Sequence, residues 1–159
     1  MGIILTIDEL VNIRKAIKNN NKKIVFTNGC FDILHKGHID YLNESKKLGD
    51  YLVVGVNSDA SVRKIKGPKR PILPQEERAF ILSNLLSVDF VCIFEEETPL
   101  KLIEQVLPDY LVKGADWPID AVVGKDVVEK NGGKVMTITL TPNKSTTNLI
   151  ETILKTYNS

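Results

Sequence analysis

Five short apolar runs, at 23–27, 51–56, 90–94, 110–112 and 134–138, alternate along the chain with segments whose apolar residues recur at helical spacing. No other feature restricts the fold so strongly. Strands that read as nearly continuous apolar stretches must be covered on both faces. Helices between successive strands provide that cover when the strands run parallel through right-handed crossovers. The expected fold class is therefore α/β, an open parallel sheet of about five strands with helices on both faces. Helices are expected over 6–18, 37–48, 75–86, 99–106, 124–130 and 146–155, the first opening on the capping-box sequence Thr6-Ile7-Asp8-Glu9. The longest stretch without periodicity, 57–74, reads as a loop. In such a sheet a ligand sits beyond the carboxyl ends of the strands, where the strand order reverses, so chemistry is sought in the loops that follow strands.

At 159 residues the chain has the size of one ordinary domain. It reads as a single domain over 1–159, with an amino-terminal helix within 1–20 and a core over 22–155. No apolar run approaches the roughly 18 residues that span a membrane. The start, MGIILTIDEL, has neither a basic leader nor a small-residue cleavage site, so the expectation is a cytoplasmic protein with no membrane partner. A formal net charge of +1 lacks the basic excess of a nucleic-acid surface, and no nucleic-acid partner is expected. Cys30 and Cys92 have no CxxC spacing; they suit a reducing compartment and argue for no metal.

The most informative segment runs from Thr27 to His38, from the end of the first expected strand into the next helix. Gly29 and Gly37 permit close backbone approach, and the free amides at the helix start attract an anion such as a triphosphate. His35 and His38, the two histidines of the chain, are three residues apart and can each donate to phosphate oxygens. A histidine pair alone is more often structural or solvated. A pair at a strand-to-helix loop of phosphate-binding type points to function. Cys30 beside His35 is not read as a nucleophile, because no third orienting group is evident.

Two further segments invite the same reading. Arg63, Lys64, Lys66, Lys69 and Arg70 form a basic cluster after the second strand. Such a cluster is usually a solvated face, but here it follows a strand on the expected ligand rim. Ser145, Thr146 and Thr147 precede an apolar-periodic segment, where a hydroxyl caps a helix and the free amides attract an anion. Met136 and Cys92 read as core, and Trp117 as an anchor for its loop.

Gly29-Cys30-Phe31-Asp32-Ile33-Leu34-His35-Lys36-Gly37-His38 resembles the HxGH signature of the cytidylyltransferase-like nucleotidyltransferases, which have a Rossmann-like sheet. Asn57-Ser58-Asp59, Lys66-Gly67, Arg70-Pro71, Glu77-Arg78, Lys113-Gly114 with Asp116, and Ser145-Thr146-Thr147 extend the resemblance over about 22–155. Their order is similar to that in bacterial heptose-1-phosphate adenylyltransferases. The chain departs from the family pattern at Lys113-Gly114-Ala115-Asp116-Trp117, where relatives commonly have Lys-Gly-Gly-Asp-Tyr. That bulkier loop leaves the base preference open.

The resemblance implies transfer of AMP from ATP to D-glycero-D-manno-heptose 1-phosphate, with Mg²⁺ bridging phosphate oxygens. It implies catalytic roles for His35, His38 and Lys66. It also implies a nucleotide-binding set of Thr27, Asn28, Gly29, Cys30, Phe31, Gly37, Asn57, Asp59, Arg70, Arg78, Gly114, Asp116, Ser145, Thr146 and Thr147, with no metal held by protein residues. Arg78 is implied to approach the nucleotide phosphates, Gly114 and Asp116 the nucleoside, and 145–147 the β- and γ-phosphates. A homodimer is implied as well. Two alternatives stay open: CMP transfer to glycerol phosphate or another alcohol phosphate, and a nucleotide-binding sensor without catalysis.

Overall fold

The computed structural model describes residues 1–142 and 144–157; positions 158 and 159 of the expected span lie outside the described residues. Its strands are β1 (Ile3–Ile4), β2 (Ile24–Gly29), β3 (Tyr51–Asn57), β4 (Phe90–Phe94), β5 (Tyr110–Gly114) and β6 (Lys134–Ile138). They form one sheet, parallel throughout, in the order β1-β4-β3-β2-β5-β6. From β2 the chain adds β3 and β4 on one side, then crosses back to add β5 and β6 on the other. The order therefore reverses between β2 and β5, and the carboxyl ends of these two strands flank a crevice.

The helices are α1 (Ile7–Asn19), α2 (Lys36–Lys46), α3 (Asp59–Lys66), α4 (Gln75–Ser83), α5 (Leu100–Val106), α6 (Lys125–Lys130) and α7 (Thr146–Tyr157). Strand alternation sends Phe26, Val53, Cys92 and Leu111 to one face, under Leu10 and Ile17 of α1, Ile103 of α5 and Val128 of α6. Val25, Leu52, Val54, Val91 and Val112 meet Tyr41 and Leu42 of α2 and Ala79 and Leu82 of α4 on the other face. Burial on both faces explains why the strands read as unbroken apolar runs.

The capping box at α1 is present: the Thr6 amide donates to Glu9 Oε2 at 2.8 Å and the Glu9 amide to Thr6 Oγ1 at 3.3 Å. Arg14 then reaches across to the end of α5, donating to the carbonyls of Val106 (2.6 Å) and Leu107 (2.7 Å). A cation there satisfies carbonyls that the helix leaves unpaired.

Two expectations are corrected. The sheet has six strands rather than about five, because Ile3 and Ile4 pair with Phe90 and Val91. A strand of two residues is too short to show a period of two, so only its tertiary pairing reveals it. The segment 57–74 is not loop throughout, since α3 occupies Asp59–Lys66. With Val62 buried and Ile65 45 % exposed, α3 has too little apolar content to show a stripe. Its determinants are polar: Ser58 Oγ accepts the Ser61 amide at 3.2 Å, and Arg63, Lys64 and Lys66 crowd the last turn against the negative end of the dipole. Among the described residues, no helix is long and apolar enough to cross a membrane.

Candidate active site

The β2–α2 loop is built around a buried carboxylate. Phe31 (φ 47°) and Ile33 (φ 53°) both adopt the left-handed region, unusual for a bulky residue and more so for a β-branched one. Asp32, between them and 1 % exposed, ties the loop down. Its Oδ2 accepts from Arg70 Nε (2.6 Å) and the Ile72 amide (2.8 Å), and its Oδ1 from the Leu73 amide (3.0 Å). Its backbone carbonyl accepts from Thr146 Oγ1 at 2.7 Å. Burial alone would raise the Asp32 carboxyl. The Leu73 and Ile72 amides and Arg70 outweigh burial and hold it below the ordinary carboxylate range.

This knot aims the two histidines. His35 precedes α2 and His38 lies in its first turn; their rings stack at 3.9 Å with a 20° interplanar angle. His38 Nδ1 accepts the His35 amide at 3.4 Å, so in the neutral ring the proton sits on Nε2. Burial first, and His35 second, push the His38 pKa down to about 4. Burial and then Lys144 lower that of His35. Gly37 keeps the space between them open: a Cβ there would lie 3.1 Å from both His35 Nδ1 and Lys144 Cβ.

A cavity of about 570 Å³ opens over this loop at the ends of β2 and β5, within the size range of small-molecule sites. From the β2–α2 segment, Asn28, Gly29, Cys30, Phe31, His35, Gly37 and His38 line it. Asn57 lines it from β3, Lys66 from the end of α3, and Arg70 from the loop beyond. The far wall holds Gly114 and Asp116 after β5, and Ser145, Thr146 and Thr147 at the start of α7. A Cβ on Gly114 would come within 2.5 Å of Asp116 Oδ1, so the Asp116 side chain packs against β5 in this position only because Gly114 has no side chain.

Three expected site residues do not line the cavity. Thr27 is fully buried, because alternation turns it towards α2, where its hydroxyl meets the Tyr41 hydroxyl at 2.7 Å. Arg78, expected near nucleotide phosphates, is 1 % exposed and faces inward from α4. Its guanidinium donates to the carbonyls of Leu73, Cys30 and Asn57 and to Asp59 Oδ1. Asp59 is thereby spent on Arg78 at 2.8 Å. These two residues form an internal ion pair that fastens three loops beneath the site. Trp117 also differs from its expectation as an anchor: its side chain lies at the cavity rim, 54 % exposed.

Asp32, Lys113 and Lys144 were missed by sequence reasoning. Asp32 was within the recognised motif, and the signal that singles it out, an apolar neighbour on each side at positive φ, exists only in three dimensions. Burial pushes the Lys113 pKa down to about 8. Burial also raises the Cys30 thiol, although Lys66, Arg78 and Arg70 oppose it, so Cys30 stays protonated at neutral pH. Among the described residues, no group of three or more His, Cys, Asp or Glu is arranged to hold a metal ion.

A family model described as cytidylyltransferase-like matches residues 26–154. The chain is 54 % identical over 154 residues to the bifunctional protein HldE of Geobacter metallireducens, covering 97 % of this chain and 31 % of that protein. It is 56 % identical over 135 residues to the HldE of Mesorhizobium japonicum, covering 85 % of this chain and 27 % of that protein. The chain thus spans less than a third of the length of these curated relatives. Among solved structures, the lipopolysaccharide core biosynthesis protein of Thermoplasma volcanium is similar at 36 % identity with a TM-score of 0.64, covering 77 % of this chain and 99 % of that one.

Proposed function

The chain belongs to the cytidylyltransferase-like family of nucleotidyltransferases, and we propose that it transfers AMP from ATP to D-glycero-D-manno-heptose 1-phosphate, giving ADP-heptose and pyrophosphate. The observation that carries this reading is the convergence of two stacked imidazoles, two helix amino ends and the cations Lys66, Arg70 and Lys144 on one cavity where the strand order reverses. Such a site suits a polyphosphate. The acceptor is supported by the HldE relatives, by the solved lipopolysaccharide core biosynthesis protein and by the sequence pattern that resembles heptose-1-phosphate adenylyltransferases.

In this reaction an oxygen of the sugar phosphate attacks the α-phosphorus in line, the bond to the β-phosphate oxygen breaks, and pyrophosphate leaves. The nucleophile is already anionic at neutral pH, so no general base is needed. The site must instead align two anions and stabilise the charge that grows on the α-phosphate and the leaving group. His38, neutral at pH 7 with its proton on Nε2, can donate that N–H to a phosphate oxygen, and the stacked His35 acts beside it. Lys66, exposed at the end of α3 and lining the cavity, offsets the repulsion between acceptor and triphosphate. Among the described residues no three or more His, Cys, Asp or Glu are grouped to hold a metal ion. The Mg²⁺ expected with a triphosphate would be held chiefly by phosphate oxygens.

Pyrophosphate release measured across ATP and CTP, each with heptose 1-phosphate and glycerol 3-phosphate, tests the assignment. Turnover with ATP and the heptose phosphate is expected. Turnover only with CTP and an alcohol phosphate replaces the substrates, and tight ATP binding without turnover on any acceptor turns the enzyme into a sensor. The same reading carries a homodimer in solution, which sedimentation showing only monomer refutes.

A further inference from the structure

The mechanism leaves one partly buried cation of the cavity without a task. Lys113 is the penultimate residue of β5, next to β2 across the point of strand reversal, and it lines the cavity. Its ammonium donates to Asn28 Oδ1 and, at 3.4 Å, to the Asn28 carbonyl. Both acceptors are neutral. Arg70, partly buried like Lys113, and the buried Arg78 each have a carboxylate partner. Among the described residues Lys113 has no ion pair; Asp116 attracts it only from beyond contact distance. A neutral amide would tie Asn28 down equally well, so the positive charge is surplus to that bond. Burying an ammonium beside neutral oxygens is unfavourable unless an anion arrives to meet it.

We propose that Lys113 is a catalytic residue whose ammonium contacts the α-phosphate of the bound nucleotide from the floor of the crevice. This rests on the nucleotidyl-transfer reading. That reading puts the β- and γ-phosphates at the starts of α2 and α7 and the nucleoside by Gly114 and Asp116, which leaves the α-phosphate over the ends of β2 and β5. Lys113 is the cation that β5 itself presents to the crevice, whereas Lys66 approaches from the exposed end of α3. Its low free-site pKa, about 8, fits an ammonium lacking its counter-ion, and a bound phosphate would raise it.

The groups facing Lys113 are Asn28 and Cys30 at the end of β2, Asp116 on its own loop, and Tyr41 of α2 nearby. Burial raises both the Cys30 thiol and the Tyr41 hydroxyl, so a limb near pH 8 is assigned to Lys113. In the wild type, kcat/KM for the nucleotide should fall above about pH 8. Nucleotide titrations at pH 8, run in two buffers of different ionisation enthalpy, should show proton uptake. Lys113→Arg should move the limb beyond pH 10 while retaining measurable turnover, and Cys30→Ser should leave it in place. Lys113→Gln, which keeps a donor for Asn28 but removes the charge, should lower kcat by roughly 10²-fold with the KM for the sugar phosphate unchanged.

Turnover of Lys113→Gln within about twofold of wild type overturns the proposal, as does a loss confined to the KM of the acceptor. Should Lys113→Gln fail to fold, proton uptake by the wild type decides, and its absence overturns the proposal. Failure of the wild type on every acceptor would instead sink the proposed function, an outcome distinguishable from all of these.

Discussion

Arg70 Nε lies 2.6 Å from Asp32 Oδ2, across 38 residues of sequence, and the Asp32 side chain is fully buried. The pair joins the histidine loop to the end of the basic segment. Through the carbonyl of the same aspartate, the start of α7 is tied in as well. Three walls of the cavity therefore meet at one aspartate, two through its carboxylate and the third through its backbone carbonyl.

Asp32→Ala should be severely destabilising, because it leaves a mostly buried guanidinium and the amides of Ile72 and Leu73 without their acceptor. A loss of about 3 kcal/mol is expected in urea unfolding. The pH dependence has a definite sign. The folded pKa lies below the unfolded value of 3.8, so the contribution is present above that value and disappears as pH falls through the folded one. Acid unfolding of Asp32→Asn should be less steep below about pH 4 than that of the wild type.

His38 should set a second, separate pH dependence. Its folded pKa of about 4 lies below the unfolded 6.5, so the unfolded chain binds more protons between these values and stability declines as pH falls through that window. Melting temperatures of wild type and His38→Gln should converge on acidification from pH 6.5 to pH 4. His38→Ala should also reduce turnover by roughly 10² to 10³-fold at pH 7.5, and wild-type activity in that variant removes His38 from the mechanism.

Lys66, which the resemblance makes catalytic, and Arg78, which it places at the nucleotide phosphates, should part company in experiment. Arg78→Met removes four donors beneath the site and leaves Asp59 unpaired, so unfolding free energy should fall by about 3 to 5 kcal/mol. Lys66→Ala, on the surface of α3, should melt within roughly 0.5 kcal/mol of wild type while turnover drops by at least 10²-fold. A stable Arg78→Met protein with normal nucleotide affinity would contradict the first half.

Gly114→Ala should act on nucleotide binding. The new methyl would meet Asp116 Oδ1 and the Leu140 side chain, both able to yield, so the fold survives while the loop shifts. A rise of about tenfold in the KM for the nucleotide is expected, equivalent to a little over 1 kcal/mol. Steady-state kinetics with the acceptor saturating measures it.

The layered sheet was legible in the sequence because its determinants are local: apolar runs of strand length, helical spacing between them, a capping box at Thr6. The histidine loop was legible for the same reason, since Gly29, His35, Gly37 and His38 lie within ten residues and their strand-to-helix setting follows from the residues on either side. What folding alone decided is which of the remaining polar groups face the crevice and which are spent inside. Arg78 and Lys66 are both cations on short helices near one rim, yet one is consumed by carbonyls of three loops and the other stays in water. Lys113 reads as one more lysine until β5 sets it beside Asn28. Asp32 becomes a knot only when the loop after α3 returns to it. Such outcomes depend on pairings tens of residues apart, and a charged side chain's role is fixed by which partner reaches it before water does.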